Sequence, residues 1–127
     1  MGNGTSIGRV RGLGAAHSGV HHWLVVRYTA IGSLLLTAWL GVSLLLLPNF
    51  NFETVREWIA SPVPATAMGL FVIVNIWHAR LGIQVVIEDY VHEHANKFAA
   101  IAALNLLAFA GAAFGLFCVI RLALGGA

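Results

Sequence analysis

One apolar segment of the chain, NIWHARLGIQVVIEDYVH at positions 75–92, carries residues that could do chemistry. His78 lies inside the apolar run, and Asp89 and Tyr90 stand where the run ends. At about 100° per residue, His78, Gly82 and Asp89 fall on one stripe of a helix. A neutral imidazole is a common metal ligand and could bind iron, and a glycine one turn away leaves room for a flat macrocycle. The other interpretation is a histidine that hydrogen-bonds to a neighbouring helix, and the residue types alone leave both open.

The end of the same segment could serve proton-coupled chemistry. Reduction of a quinone to a quinol consumes electrons and protons together. A tyrosine hydroxyl can donate a hydrogen bond to a quinone carbonyl, and a neighbouring carboxylate can relay protons. Tyr90 and Asp89 are therefore candidates for a quinone site. The alternative, which the residue chemistry alone favours, is a helix end with Tyr90 in the aromatic belt of a membrane and Asp89 solvated.

The elements that position these residues are predicted to cross a membrane. The chain is 59% hydrophobic and only 9% charged, whereas a soluble domain carries about 25% charged residues. Three apolar stretches, at about 28–47, 63–87 and 98–120, are long enough to cross a hydrocarbon layer of about 30 Å. Backbone groups in lipid must be satisfied locally, so the stretches should be helices. We predict an all-α integral membrane protein, with one membrane-anchor domain over residues 1–127 and an N-terminal segment over 1–23.

The orientation follows from the positive charges near the ends of the spans. The N-terminal side and the second loop hold more lysine and arginine than the opposite side, which predicts a cytoplasmic N-terminus; the charges compared are Arg9, Arg11, Arg27 and Lys97 against Arg56 and Arg121. The linker NFNFETVREWIASP at 49–62 is predicted to be a short polar loop with one helical turn. The net charge of +2 forms no basic stripe, so nucleic acid is not an expected partner.

Two further features of the spans concern helix packing. Arg80 falls about 200° from His78 on the helix, where Gln84 could accept its hydrogen bond or the side chain could extend toward the interface. In the third span, Gly111 and Gly115 form a GxxxG pattern, which lets helices approach closely. An alanine-rich helix without a packing role explains the third span equally well.

A haem held by His78 would need a second protein chain. A six-coordinate haem iron takes a second axial ligand at the same depth. Every other histidine of the sequence is expected at the cytoplasmic end; these are His17, His21, His22, His92 and His94. We therefore expect the second ligand to come from another polypeptide.

The same residues resemble a known family. His78 and Gly82, followed by Asp89-Tyr90-Val91, match the H-x-x-x-G and D-Y-V pattern of the D-type hydrophobic membrane anchor of succinate dehydrogenase, respiratory complex II. The stretch SGVHHWLVVRYTAI at 18–31 looks like that family's G-x-H-x-aromatic segment, with an arginine opening the first span. The three spans agree as well, so the resemblance covers most of the chain and is most like alphaproteobacterial or mitochondrial-type members.

The resemblance implies a role for each matched residue. His78 would be one axial ligand of a haem b, and a partner C-type anchor would supply the other. Arg27 and His21 would contact the haem propionates. Tyr90 would hydrogen-bond a ubiquinone carbonyl near the iron–sulfur subunit, with Asp89 beside it. The family pattern assigns no role to the neighbouring histidine at position 22.

The function that the resemblance implies is that of a membrane anchor subunit of succinate:ubiquinone oxidoreductase. Such a subunit holds the flavoprotein and iron–sulfur subunits to the membrane, co-ligates haem b and forms part of the ubiquinone site, linking the tricarboxylic acid cycle to electron transport. The chain alone would not be an enzyme. The expected location is the bacterial inner membrane, ahead of the mitochondrial inner membrane, with membrane lipid as a further partner. The alternatives are an anchor of fumarate reductase and a structural three-helix membrane protein that binds no cofactor.

Overall fold

Four helices make up the computed structural model, which describes residues 19–125. In chain order they are α1 (Gly19–Leu46), α2 (Phe52–Ala60), α3 (Pro62–Tyr90) and α4 (His94–Ala123). No strand occurs between residues 19 and 125. Helices α1, α3 and α4 are long and apolar enough to cross a membrane. The predicted all-α fold with three transmembrane helices is therefore confirmed, while Arg9, Arg11 and His17 lie outside the described residues.

The three long helices extend beyond the predicted apolar spans. They have 28, 29 and 30 residues, which corresponds to about 42–45 Å of helix against about 30 Å of hydrocarbon. Helix α1 spans Gly19–Leu46, so His21 and His22 are helical. Hydropathy marks only the part of a helix that lies in lipid, whereas the backbone hydrogen bonding continues into the interface.

Helices α3 and α4 form a tight hairpin. Helix α3 begins with Pro62, whose missing N–H would be unsatisfied in a first turn in any case. It ends at Tyr90, after which Val91 takes an extended conformation with φ −101°. Glu93 opens α4, because its carbonyl accepts the Lys97 amide at 2.9 Å. The short connection makes α3 and α4 antiparallel neighbours and places the end of α3 beside the start of α4.

The linker predicted as a polar loop is a helix, so that prediction was wrong. Helix α2 has nine residues, and Val55, Trp58 and Ile59 occur at the i, i+3, i+4 spacing of an apolar helix face. Ile59 is 4% exposed. The Trp58 ring stacks on Trp39 of α1, with centroids 5.8 Å apart and planes 19° from parallel. The polar residues between these positions are the reason that the sequence predicted a loop.

Helix α3 is the centre of the arrangement. It contacts α1 on one side and α4 on the other, while no Cα atom of α1 lies within 8 Å of one in α4 among residues 19–125. Helix α2 contacts both α3 and α4 at the end of the row far from Tyr90. Besides Ile59 of α2, Leu81 is the only apolar residue buried in the described part of the chain, at 5% exposure. The three long helices therefore form a row whose outer surfaces need lipid or other protein.

Candidate functional site

Two side-chain hydrogen bonds join α1 to α3. The Thr29 Oγ1 atom lies 2.9 Å from Nδ1 of His78. One turn away, the Ser33 hydroxyl donates to the Asn75 Oδ1 atom at 2.7 Å. The Asn75 amide nitrogen donates to the Phe71 carbonyl at 2.9 Å, which orients the amide so that its oxygen faces Ser33. These bonds fix both the register and the facing sides of the two helices.

His78 lies near the middle of α3. It is the seventeenth residue of a helix that runs from Pro62 to Tyr90, and so about 3 Å along the axis from the helix midpoint. The bond to Thr29 shows that one ring nitrogen does contact a neighbouring helix. The other, Nε2, has no hydrogen-bond partner among residues 19–125. An ionisable side chain at mid-depth with a free nitrogen is a candidate functional group.

Gly82 leaves open space beside His78. It lies one turn closer to Tyr90 on the same stripe of α3. A Cβ atom built on Gly82 would meet no other atom within 4 Å. The chain itself therefore leaves the space at Gly82 free, one turn below the bond between His78 and Thr29.

Asp89 and Tyr90 lie at the end of α3, about 18 Å along the helix axis from His78. Tyr90 is 79% exposed, and Asp89 is exposed as well. Neither side chain makes a hydrogen bond or an ion pair with another described residue. The Tyr90 carbonyl lies 3.1 Å from Nδ1 of His92. The phenol and the carboxylate are thus both available to other molecules at this end of the row.

The structure does not bring Arg27 or His21 to His78. Arg27 lies about 160° around α1 from Thr29, and its guanidinium stacks over Trp23 at 5.3 Å from the ring centroid. His21 lines a recess of about 210 Å³ on the side of α3 that carries Arg80, roughly 160° from Gly82. Whether either residue contacts a propionate stays a prediction.

Arg80 has a partner that sequence reasoning missed. Its Nε atom donates to Asn105 Oδ1 of α4 at 2.6 Å, while its guanidinium lies over Trp77 at 5.1 Å from the ring centroid. Gln84 instead donates to Glu88 at 2.8 Å, so the suggested Arg80–Gln84 bond is wrong. Asn105 is the single amide in the third apolar stretch, and this was the signal available in the sequence. Arg80 therefore belongs to the contact between α3 and α4.

The same contact uses the predicted GxxxG pattern. A Cβ atom on Gly115 would lie 2.7 Å from Cγ1 of Val72, closer than two such carbons can approach. A Cβ atom on Gly111 would lie 3.8 Å from Cδ1 of Ile76, an ordinary contact distance. The predicted packing role is confirmed for Gly115, where a methyl group does not fit against α3, whereas Gly111 leaves room for one.

The side chains suit one kind of metal site better than another. Within residues 19–125, no three histidine, cysteine, aspartate or glutamate side chains come together. An iron already held by a macrocycle needs only one or two axial ligands from protein. The imidazole of His78 could provide one of them.

Comparison with known proteins agrees with the geometry. The chain is 36% identical over 87 residues to the succinate dehydrogenase hydrophobic membrane anchor subunit of Rickettsia conorii, covering 68% of this chain and 69% of that protein. The proteins of the same name in Rickettsia bellii and Paracoccus denitrificans are 35% and 28% identical over 98 and 114 residues. These matches cover 77% and 90% of this chain, and 78% and 88% of the relatives. Residues 1–112 match the family model for the succinate dehydrogenase/fumarate reductase transmembrane subunit, and the chain belongs to that family.

Proposed function

We propose that the chain is the hydrophobic membrane anchor subunit of a succinate dehydrogenase. In that role it holds the flavoprotein and iron–sulfur subunits at the membrane and forms part of a haem site and a ubiquinone site. The observation that carries the proposal is the mid-helix imidazole of His78, which has one nitrogen bonded to α1 and the other without a partner, beside the open side of Gly82. The names of the Rickettsia and Paracoccus relatives support the same role.

The residues present fit a haem b. His78 offers Nε2 as an axial ligand, and a Cβ position at Gly82, one turn away, meets no other atom within 4 Å. Haem would supply one-electron redox chemistry at this depth. The other histidines of the described residues lie in the first turns of α1 and α4 or in the turn between α3 and α4. A C-type anchor subunit would therefore supply the second axial ligand. Arg27, a cation near the start of α1, would pair with a propionate, and His21 is the weaker candidate.

Tyr90 and Asp89 are proposed to form this chain's part of the quinone site. The Tyr90 hydroxyl donates a hydrogen bond to a carbonyl oxygen of ubiquinone and so orients the ring. Asp89 relays protons from water to the two reduced oxygens, and two protons complete the quinol. The electrons come from the iron–sulfur subunit, and succinate is oxidised in the flavoprotein. The exposure of both side chains at the end of α3 supports this arrangement.

The membrane and the direction of the reaction are part of the same proposal. In the sequence, the N-terminal side and the loop after Tyr90 hold more lysine and arginine than the opposite side, which favours a cytoplasmic position for the Tyr90 end, in a bacterial inner membrane. The matched family includes fumarate reductase subunits, in which the quinol would be the electron donor. The relatives named above are all succinate dehydrogenase subunits, and we therefore propose succinate oxidation.

The haem assignment is tested by His78→Ala in the complete complex. Alanine favours the helix, so the span should persist while the b-type absorption band is lost or strongly reduced. The matched control is His22→Ala, which removes an imidazole with no proposed role. Haem per flavin, measured on the purified complex, decides the question. An unchanged haem content in the His78→Ala complex would rule out ligation by this residue.

The quinone assignment is tested by Tyr90→Phe. Loss of the hydroxyl should slow ubiquinone reduction by succinate, while succinate oxidation with an artificial soluble acceptor stays unchanged. Tyr28→Phe is the matched control, because Tyr28 is the other tyrosine of the chain and is also exposed. If Tyr90→Phe lowered both activities equally, its hydroxyl would have a structural role and not a role in quinone binding.

A further inference from the structure

The hydroxyl of Thr29 has three polar neighbours at hydrogen-bond distance. Its Oγ1 atom lies 2.8 Å from the Val25 carbonyl, 3.0 Å from the Val26 carbonyl and 2.9 Å from His78 Nδ1. A hydroxyl has one proton to donate and two lone pairs that accept. The two carbonyl oxygens can only accept, and the Thr29 hydroxyl donates its proton toward them. The lone pair of Thr29 then faces His78.

This arrangement of Thr29 belongs to α1 itself. Threonine in a helix commonly donates to the carbonyl four residues earlier, and that bond needs no partner on another helix. The hydroxyl oxygen is therefore already oriented as an acceptor when α3 packs against α1. With its proton used within α1, the hydroxyl offers a lone pair to α3, and this favours the tautomer of His78 in which Nδ1 carries the imidazole proton.

We propose that Thr29 is a positioning residue for the haem ligand. By accepting from Nδ1–H, it selects the tautomer of His78 whose lone pair is on Nε2, the nitrogen left without a partner. It also holds the ring at a fixed angle to α3. This inference rests on the proposed function, because it gives Nε2 its use as an axial ligand. It adds a residue of α1, which makes no metal contact, to the determinants of the haem site.

The hydrogen bond has a second effect, on the electronic properties of the ligand. An acceptor at Nδ1–H makes the imidazole a stronger electron donor to the metal, and such partners of ligating histidines typically change metal affinity by about 10- to 100-fold when removed. A stronger donor favours ferric over ferrous iron. Loss of the Thr29 hydroxyl should therefore raise the midpoint potential of the haem and weaken its retention.

The same pair of helices provides a matched control. Ser33 and Asn75 form the other hydrogen bond between α1 and α3, at 2.7 Å and one turn away. If Thr29 only held the helices together, its loss would have the same consequences as the loss of Ser33. If it sets the state of His78, only the Thr29 variant should alter the haem.

The experiment compares Thr29→Val, Thr29→Ser and Ser33→Ala in the complete membrane complex. The readouts are the midpoint potential of the b-type haem, the electron paramagnetic resonance signal of its ferric form, and haem per flavin after detergent washing. Thr29→Val keeps the shape of the side chain but removes the hydroxyl, and should raise the potential, shift the ferric signal and lower haem retention by about 10- to 100-fold. Thr29→Ser restores the hydroxyl, and Ser33→Ala leaves it intact, so both should match the unaltered complex.

Two outcomes would overturn the inference. A Thr29→Val complex with unaltered potential, signal and haem retention would show that Thr29 does not act on the ligand. Equal changes in Thr29→Val and Ser33→Ala would show a structural role alone. Neither result touches the assignment of His78, which His78→Ala tests separately through haem content. If the valine does not allow assembly, Thr29→Ala is smaller and gives the same readings.

Discussion

Helix α3 contacts its two neighbours through different chemistry. Toward α1 it uses polar pairs, His78 with Thr29 and Asn75 with Ser33. Toward α4 it uses close approach at Gly115 and one charged hydrogen bond, from Arg80 to Asn105. The hydrogen bonds to α1 fix which side chains of the two helices face each other. The glycine contact with α4 sets how closely the two backbones approach. His78, the candidate ligand, lies in the hydrogen-bonded contact with α1.

The two contacts also differ in expected strength. A side-chain hydrogen bond between membrane helices contributes on average about 0.6 kcal/mol. Forcing extra atoms into a tightly packed position costs about 1–3 kcal/mol, and a hydrogen bond to a charged group contributes about 1.5–3 kcal/mol. The α3–α4 hairpin should therefore be the stable unit of the chain, with α1 held more weakly against it.

The largest effect on this comparison is expected from Asn105→Leu. The change removes the acceptor of the Arg80 Nε atom and leaves a guanidinium in an apolar groove of about 370 Å³ between α3 and α4. We expect a loss of about 1.5–3 kcal/mol in the free energy of unfolding. Denaturant unfolding of the purified complex, followed by helix circular dichroism, measures it.

The control for this variant is the double change Arg80→Met with Asn105→Leu. Removing both polar partners leaves no uncompensated charge, so most of the lost stability should return. A double variant as unstable as Asn105→Leu alone would contradict the assignment of this pair as a stabilising contact.

A smaller effect on stability is expected when each glycine of the GxxxG pattern in α4 is replaced by alanine. The change should destabilise the protein at Gly115 and stabilise it at Gly111. At Gly115 the new methyl would lie 2.7 Å from Cγ1 of Val72, a β-branched side chain with little rotamer freedom. At Gly111 it would lie 3.8 Å from Ile76 and only gain helix propensity. Gly115→Ala should therefore be less stable than Gly111→Ala by about 1–3 kcal/mol. Midpoints of thermal unfolding rank the two complexes, and equal midpoints would contradict the packing role of Gly115.

The smallest effect is expected from Ser33→Ala, which removes one hydrogen bond of the α1 contact. The expected cost is about 0.6 kcal/mol, below that of either change in the α4 contact. The same unfolding measurement applies. A loss as large as that of Asn105→Leu would reverse the ranking of the two contacts.

Much of this arrangement could be predicted from the sequence, because lipid imposes simple rules on each helix separately. Hydropathy located the three spans, and helical periodicity grouped His78 with Gly82 and separated it from Arg80. Spacing alone identified the glycine pair of α4. The short helix α2 was missed because polar residues separate its apolar positions. Hydropathy averaged over the length of a membrane span does not show an apolar face on so short a helix.

The partners of the polar side chains could not be predicted in the same way. Thr29 and Asn105 are distant in sequence from His78 and Arg80, and which helix faces which side of α3 depends on packing between helices. The i, i+4 spacing of Thr29 and Ser33 did hold the signal of a polar face on α1, matching the polar residues of α3. This spacing identifies the partners of His78 and Asn75 only when α1 and α3 are known to be neighbours.

A single layer of helices has two flanks and no interior, and among residues 19–125 only Ile59 and Leu81 are buried by the chain's own atoms. Because a single layer of helices buries few of its own side chains, its folding gains little free energy from contacts within the chain. Its rigidity depends on whatever is pressed against each flank, whether acyl chains or a neighbouring subunit. Loss of a neighbour should therefore loosen this chain more than most single substitutions within it.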